Sequence, residues 1–323
     1  MTNFIKYHGL GNDFVVLSPG PAAEALLAPD QARALCRRGF GVGADGVMTA
    51  GEATGAHLAM RLVNSDGSIP EMCGNGIRCF VKYAVDELGR RENPLLVATP
   101  GGIKPCHWHR GADGTVATVE VDMGAPSFER ARVPMRGDGE AIDVEVPCDD
   151  RMFVATGVNT GNPHMVIFGS MAPPSDPLRV GQAALAGRDT ASSRPGHSGP
   201  RDPARRPGSA ERDLARTWGP RLTDHPLWTQ GANVEFATAL APDHLQVAVW
   251  ERGCGLTEAC GTGATATAAA AVRHGLAPFG APITVSLPGG DLAITIEPGF
   301  RTAWMAGPAV EVYRGALAAG WNG

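Results

Sequence analysis

Apolar residues along the chain fall mostly in short alternating or continuous runs: DFVVLS, HLAMRLV, PLLVAT, TVATVEVDM, IDVEV, HMVIF, NVEFA, LQVAVW, ITVSL, LAITI and AVEVY. Most are bounded by Gly, Pro, Asn or Asp, which is the pattern of strands ended by turns. Two segments depart from it. After Cys73, the residues Ile77, Phe80, Val81, Ala84, Val85 and Leu88 recur at helical spacing, and Gly89 supplies a C-terminal stop. After Cys260, the stretch ATATAAAAVRHG carries no charge from Ala264 to Val272, and Gly275 closes it. A helix that is apolar on every side is buried on every side. Strands precede and follow each helix, so the pattern predicts an α+β chain of two related domains, each a curled mixed β-sheet around a central helix.

The two helices begin alike. Glu71-Met72-Cys73-Gly74-Asn75-Gly76 matches Glu258-Ala259-Cys260-Gly261-Thr262-Gly263, and GNDFVV at 11–16 is weakly echoed by GNPHMVIF at 161–168. A duplicated unit places equivalent residues equivalently, so the two thiols are expected near a shared cleft. Residues 188–210, RDTASSRPGHSGPRDPARRPGSA, follow neither pattern. They are rich in Pro, Gly, Ser and Arg with almost nothing to bury, and are expected to form a mobile insertion inside the second half.

Length agrees with two domains, because a single core seldom grows to 323 residues. The chain is 43% hydrophobic and 19% charged with a formal net charge of −5, so nothing suggests a nucleic-acid footprint. No apolar run of about 18 residues suggests a membrane span, and the N-terminus has no leader pattern, so a cytoplasmic protein is expected. Seven cysteines without a C-x-x-C pair argue against a disulfide framework or the usual zinc spacings. Cys36, Cys79, Cys106, Cys148 and Cys254 are read as small buried hydrophobes.

Cys73 and Cys260 carry more chemistry. A thiol at a helix start faces backbone N–H groups with no intrahelical partner and the positive end of the dipole, both of which favour thiolate. The glycines that follow allow close backbone approach and offer a carboxylate cradle. One C-G-x-G reads as a turn; two copies leading into two central helices read as a pair. A thiolate on one side of a carboxylate-bearing carbon and a thiol on the other would invert it, by removing a proton from one face and returning one to the opposite face. No metal is required. A pyridoxal cofactor would need a Schiff-base lysine, and Lys6, Lys82 and Lys104 are the only lysines, none in a recognisable phosphate-binding context.

Taken in order, KYHGLGNDFVV, GVGADG, NSDGSIPEMCGNGIRCF, GNPHMVIF, GANVEFA and WERGCGLTEACGTGATA resemble the diaminopimelate epimerase family, the cofactor-independent enzymes of lysine and peptidoglycan-precursor synthesis. The resemblance covers nearly the whole chain apart from 188–210. It implies a first domain over 1–122 with the last strand, within 306–323, returning to it, and a second domain over 123–305. It also implies Cys73 and Cys260 as the acid/base pair, with Gly74, Asn75, Gly261 and Thr262 at the reacting carboxylate. Further substrate contacts are implied for Asn12, Asn64, Asn162, Asn233, Glu251 and Arg252, and a supporting catalytic role for His164 and Glu251. The chemistry is reasonable: amides bind ammonium and carboxylate alike, Glu251 is an anion for an α-ammonium, and Arg252 is a fork for the distant carboxylate. Gly46 departs from the family pattern, since some relatives carry glutamine there. The expected partner is a small-molecule substrate, diaminopimelate, with a homodimer left open.

Three other readings compete. Proline or hydroxyproline racemases share the cysteine pair but would not need Arg252 and several amides for a second amino-acid end; phenazine-type isomerases lack the paired cysteines. A thiol redox or metal-binding protein is the rival from another class.

Overall fold

The computed structural model describes residues 2–169 and 209–321. It forms two compact units, Met1–Met123 with Trp304–Gly323, and Gly124–Ala303. In the first unit, strand Asn3–Gly9 lies between two antiparallel partners, Asn12–Leu17 and the C-terminal strand Val310–Ala316. The sheet continues from Asn12–Leu17 to the parallel Gly46–Gly51, the antiparallel Leu58–Asn64, the parallel Leu95–Thr99 and the antiparallel Gly102–Arg110 and Val116–Gly124. Helix Gly74–Asp86 packs on five of these strands, and every residue from Gly74 to Val85 is buried. Burial of its apolar residues is the dominant favourable term here. The one lysine on the helix is neutralised locally: Lys82 Nζ lies 3.0 Å from Asp86 Oδ2 and donates to the Val116 carbonyl at 2.7 Å. Two short helices, Pro21–Leu26 and Pro29–Cys36, close a second cluster in which Leu35 and Cys36 pack with Phe4, Val15, Leu17 and Val47.

The second unit repeats the plan. Its sheet runs Val144–Cys148, Arg151–Asn159, Pro163–Phe168, Asn233–Ala241, His244–Glu251, Pro282–Leu287 and Gly290–Ile296. The Pro163/Asn233 and His244/Pro282 pairings are parallel and the others antiparallel, so this sheet is mixed as well. Helix Gly261–Arg273 packs on six of the strands, and its residues from Gly261 to Val272 are all buried. The Ala, Gly and Thr side chains are what allow strands to approach it all round. Its threonines are silent because Thr265 and Thr267 return their hydroxyls to the carbonyls of Gly261 and Gly263, at 2.9 and 2.8 Å.

The α+β pattern of two curled mixed sheets, each around a buried helix, is therefore the fold. Two sequence expectations are corrected. Ser209 and Ala210 open helix Ser209–Leu222, whose Ala215, Trp218 and Leu222 join a core with Phe153 and Phe236, so the expected loop extends two residues too far. Residues 188–208 lie outside the described residues. Cys254 is exposed rather than buried, because it sits in a turn between Gly253 and Gly255, whose φ values are 81° and 79°; Cys36, Cys79, Cys106 and Cys148 are buried as expected.

The C-terminal strand is held to the first by a close cross-strand fit. Gly315 stands opposite Phe4, and a Cβ at Gly315 would come within 2.6 Å of the Phe4 ring. Gly315→Val is expected to destabilise the protein by about 1–3 kcal/mol through overpacking, read as a lower urea midpoint with an unchanged slope. An unchanged midpoint would mean that this strand pair contributes little.

Candidate active site

Each central helix begins on a cysteine in extended backbone, with φ/ψ of −134°/101° at Cys73 and −127°/110° at Cys260. In both, the sulfur occupies the place of an N-cap oxygen: Cys73 Sγ accepts the Gly76 N–H at 3.3 Å, and Cys260 Sγ the Gly263 N–H at 3.4 Å. Glycine is needed three residues on, since a Cβ there would lie 3.2 Å from Sγ in the first motif and 3.3 Å in the second.

Around Cys73 the structure gathers amides. Asn12 Oδ1 lies 4.0 Å from the sulfur and accepts from Asn75 Nδ2 at 3.3 Å, while Asn12 Nδ2 donates to Asp45 Oδ2 at 2.7 Å. Asp45 also accepts the Asp13 N–H at 3.0 Å, so the turn after the first strand is tied to the segment before Gly46. Gly46 opens its strand in close quarters, where a Cβ would meet Leu62 Cδ1 at 3.0 Å and Phe14 Cδ1 at 3.2 Å. Asn64 is engaged in its own turn, with Nδ2 donating to Ser68 Oγ at 3.0 Å.

Arg78, which the sequence reading passed over, lies beneath this group and is wholly buried. It donates to the Gly74 carbonyl at 3.0 Å, to Asn75 Oδ1 at 3.0 Å and to the Pro308 carbonyl at 3.2 Å, and among the described residues no carboxylate pairs with it. Burial lowers its pKa to about 10, leaving it cationic at neutral pH; the nearby Cys79 and Cys73 thiols oppose that shift when ionised. By donating to Asn75 Oδ1, Arg78 turns the amide nitrogen of Asn75 toward Asn12.

The second motif sits in a different field. Cys260 is buried, with Thr262 Oγ1 3.4 Å from its sulfur. Glu251 ends the strand His244–Glu251 and accepts the Thr257 hydroxyl at 2.6 Å. Burial of its carboxyl raises its pKa, although part of the residue reaches the surface; Thr257 and Cys260 oppose the rise. His164 is fully buried, with Nδ1 2.7 Å from Glu235 Oε1 and Nε2 2.8 Å from Asn162 Oδ1. The Cys260 thiol is pushed well up, first by burial, then by Glu251 and Glu235. At neutral pH it stands as a thiol, the form that donates a proton.

Two expected contact residues serve the scaffold with at least part of their side chains. Asn233 accepts the Arg252 N–H at 2.9 Å and donates to the Pro163 carbonyl at 3.3 Å. Arg252 is exposed, and its guanidinium donates to the Gln230 carbonyl. The Gly261 carbonyl accepts from Thr265, and that of Thr262 from Thr160 at 3.2 Å. In the first unit, then, Cys73, Gly74, Asn75 and Asn12 form one group, and Asn64 makes a separate one. In the second, Cys260, Gly261, Thr262, His164, Asn162 and Glu251 lie around Glu235, which the sequence reading missed although it stands in GANVEFA. A carboxylate two residues after Asn233 on one strand face was the available signal. Among the described residues no group of three or more His, Cys, Asp or Glu side chains is disposed to hold a metal ion, and no helix is long and apolar enough to cross a membrane.

At the level of fold, this arrangement is that of the two-domain epimerases and racemases. A probable proline racemase from Agrobacterium radiobacter superposes with a TM-score of 0.64 at 16% identity, covering 98% of this chain and 93% of that one. A predicted epimerase from Pseudomonas aeruginosa gives 0.60 at 13% identity, covering 98% and 99%. Sequence narrows this to one family. The diaminopimelate epimerase family model matches residues 4–129 and 208–312. The diaminopimelate epimerase of Moorella thermoacetica is 40% identical over 316 residues, 97% of this chain and 98% of that protein. That of Desulfitobacterium hafniense is 38% identical, with 97% of each chain covered. The chain belongs to the diaminopimelate epimerase family and is an isomerase.

The unequal surroundings of the thiols set their reactivity. At mildly alkaline pH, iodoacetamide is expected to alkylate Cys73, which is partly exposed, faster than Cys260, which is 4% exposed and held as a thiol. Peptide mapping with fragment-ion assignment separates Cys260 from the exposed Cys254. Equal or faster labelling of Cys260 would show that its buried acidic surroundings do not control it.

Proposed function

We propose that the protein epimerises LL-2,6-diaminopimelate to the meso isomer without a cofactor, using Cys73 and Cys260 as the two proton carriers. The observation that carries this reading is the duplicated cysteine N-cap, one sulfur at the head of each buried helix, in a chain of this family. One sulfur, ionised, takes the α-hydrogen: the C–H bond breaks and an S–H bond forms. The other, a thiol, gives its proton to the opposite face and is left as thiolate, so no proton is gained or lost overall.

The state in which Cys260 begins as the acid is favoured by its burial and by Glu251 and Glu235 beside it. Charge that develops on the substrate carboxylate during proton removal is met by the N–H groups of a helix start at Gly74-Asn75 or Gly261-Thr262. These donors stabilise the transition state more than the ground state. Asn12, Asn64, Asn162, Asn233 and Arg252 are assigned to substrate recognition, and His164 and Glu251 to support of the proton transfers.

The test is solvent exchange. Wild-type protein incubated with the LL isomer in deuterated water should form meso product with deuterium at the inverted carbon. Cys73→Ala and Cys260→Ala should each abolish epimerisation with the fold retained by circular dichroism, because one sulfur cannot serve both faces. Either variant turning over at near-wild-type rate would sink the two-thiol scheme, and a wild-type preference for proline would sink the substrate.

The assignment of Arg252 to the unreactive end predicts a split between substrates. Arg252→Lys keeps the charge and loses the planar fork. Catalytic efficiency toward diaminopimelate is expected to fall by the equivalent of about 1.5–3 kcal/mol, the scale of a charged hydrogen bond. Any weak turnover of a one-ended amino acid should be nearly unchanged; equal losses on both would place Arg252 in the scaffold, consistent with its bond to Gln230.

A further inference from the structure

The buried carboxyl group of Glu235 enters the scheme above only through its influence on Cys260, yet it is also in direct contact with His164. It is fully buried. Strand register brings it there: His164 pairs with Asn233 in the parallel ladder, and Glu235, two residues further on, projects from the same face. Its Oε1 lies 2.7 Å from His164 Nδ1 and 2.8 Å from where a Cβ on Gly263 would be, so the carboxyl is wedged between the histidine and the first turn of the helix headed by Cys260. Its Oε2 has no hydrogen-bond partner among the described residues.

A buried polar atom left unpaired is costly, and more so when charged. Packing alone would be better served here by an apolar side chain. The contact that offsets the cost is the one to the imidazole, a charge-assisted bond if the proton lies on nitrogen. The other ring nitrogen, Nε2, faces Asn162 Oδ1 at 2.8 Å. With an acceptor oxygen at each end, two protons are needed for two good hydrogen bonds: one on Nε2 and one between Nδ1 and Oε1. The pair is then neutral as a whole, whether the second proton sits on nitrogen or on oxygen. With a single proton on the ring, an ionised Glu235 would draw it to Nδ1 and leave Nε2 an acceptor facing an acceptor; the second proton is what leaves Nε2 a donor.

We propose that Glu235 is the positioning residue of His164: by sharing a second proton with Nδ1 it leaves Nε2 its own proton, so that His164 meets Asn162, and the substrate, as a hydrogen-bond donor. The part played by His164 in turnover rests on the epimerase reading, whereas the protonation pattern belongs to the free protein and is tested without substrate. Glu251 and Cys260 are the other ionisable groups around this pair, and the charge of Glu235 raises the pKa of both.

The experiment labels histidine with 15N in the full-length wild-type protein and records long-range 1H–15N correlations of the ring at neutral pH, with His164 assigned by its loss in His164→Gln. A protonated, pyrrole-type Nε2 is expected, and a pyridine-type Nε2 overturns the proposal whether or not the protein is active. Glu235→Gln, which preserves shape, is the kinetic arm. A fall in kcat of about tenfold or more, within the range of a displaced acid/base group, with KM little changed, is expected; an unchanged kcat in folded variant overturns the proposal. Should Glu235→Gln fail to fold, the wild-type spectrum alone decides. If the wild type proves inactive on diaminopimelate, the epimerase reading falls while the nitrogen assignment still stands or fails by its own signal.

Discussion

A helix whose first turn is closed by sulfur rather than oxygen is the constraint on which the rest depends. The N–H of the third helical residue points at the cysteine sulfur in both units, at 3.3 and 3.4 Å. That bond holds the sulfur at the positive end of the helix. For it to form, the residue three positions on must be glycine, the cysteine must leave the helical region, and the helix must be fixed along its length so that the sulfur is fixed at its end. Burial of the whole helix inside a curled sheet does the last of these. The small side chains of the second helix, ATATAAAAV, let its strands approach closely, whereas the first helix is enclosed with larger side chains such as Ile77, Phe80 and Tyr83.

The duplication keeps the backbone device and changes the electrostatics. In the first unit the helix carries Arg78, which holds the Gly74 carbonyl and the Asn75 amide with a guanidinium that faces no carboxylate among the described residues. In the second unit the position equivalent to Arg78 is Thr265, which returns its hydroxyl to the Gly261 carbonyl at 2.9 Å and supplies no charge. Carboxylates occupy the surroundings instead. A cation near one sulfur and two carboxyl groups near the other separate the two thiols by sign, so a symmetric sequence motif yields an unsymmetric pair. In the proposed scheme one sulfur must be ionised and the other protonated at the same moment, and the unlike surroundings suit that division.

Much of this was legible in the chain. The runs NVEFA, LQVAVW, ITVSL and LAITI mark strands because alternation and β-branched residues act locally, and the helix after Cys260 is marked by its lack of any polar face. The six helical positions from Ile77 to Leu88 placed the other helix, although the structure ends it at Asp86. Less was legible where tertiary context overrides local pattern. GIKPCHWHR forms a strand with its partners on either side despite Pro105, and the helix Ser209–Leu222 follows a Pro-, Gly- and Arg-rich segment that hides its start. Cys254 looked like a core residue by type, but two glycines in left-handed backbone make its segment a turn, and turns lie at the surface.

At the site, sequence motifs identify residues that chemistry would choose and miss those that only geometry brings in. Asn12, Asn75 and Cys73 stand in recognisable motifs, but their mutual orientation is set by Arg78 and Asp45, neither of which looks catalytic in isolation. Glu235 is the sharper case. In sequence it is the one charged letter in its strand, and the ordinary expectation for such a residue is a face turned to water. The parallel register with Pro163–Phe168 instead points it inward, onto His164 and against the turn that bears Cys260. Gly263 then has two reasons to be glycine: a side chain there would press on both the sulfur and the Glu235 carboxyl, at 3.3 and 2.8 Å. The same absent Cβ therefore admits the cap to the thiol and the carboxyl to the histidine, which couples the thiol at the helix start to the imidazole on the neighbouring strand through one position.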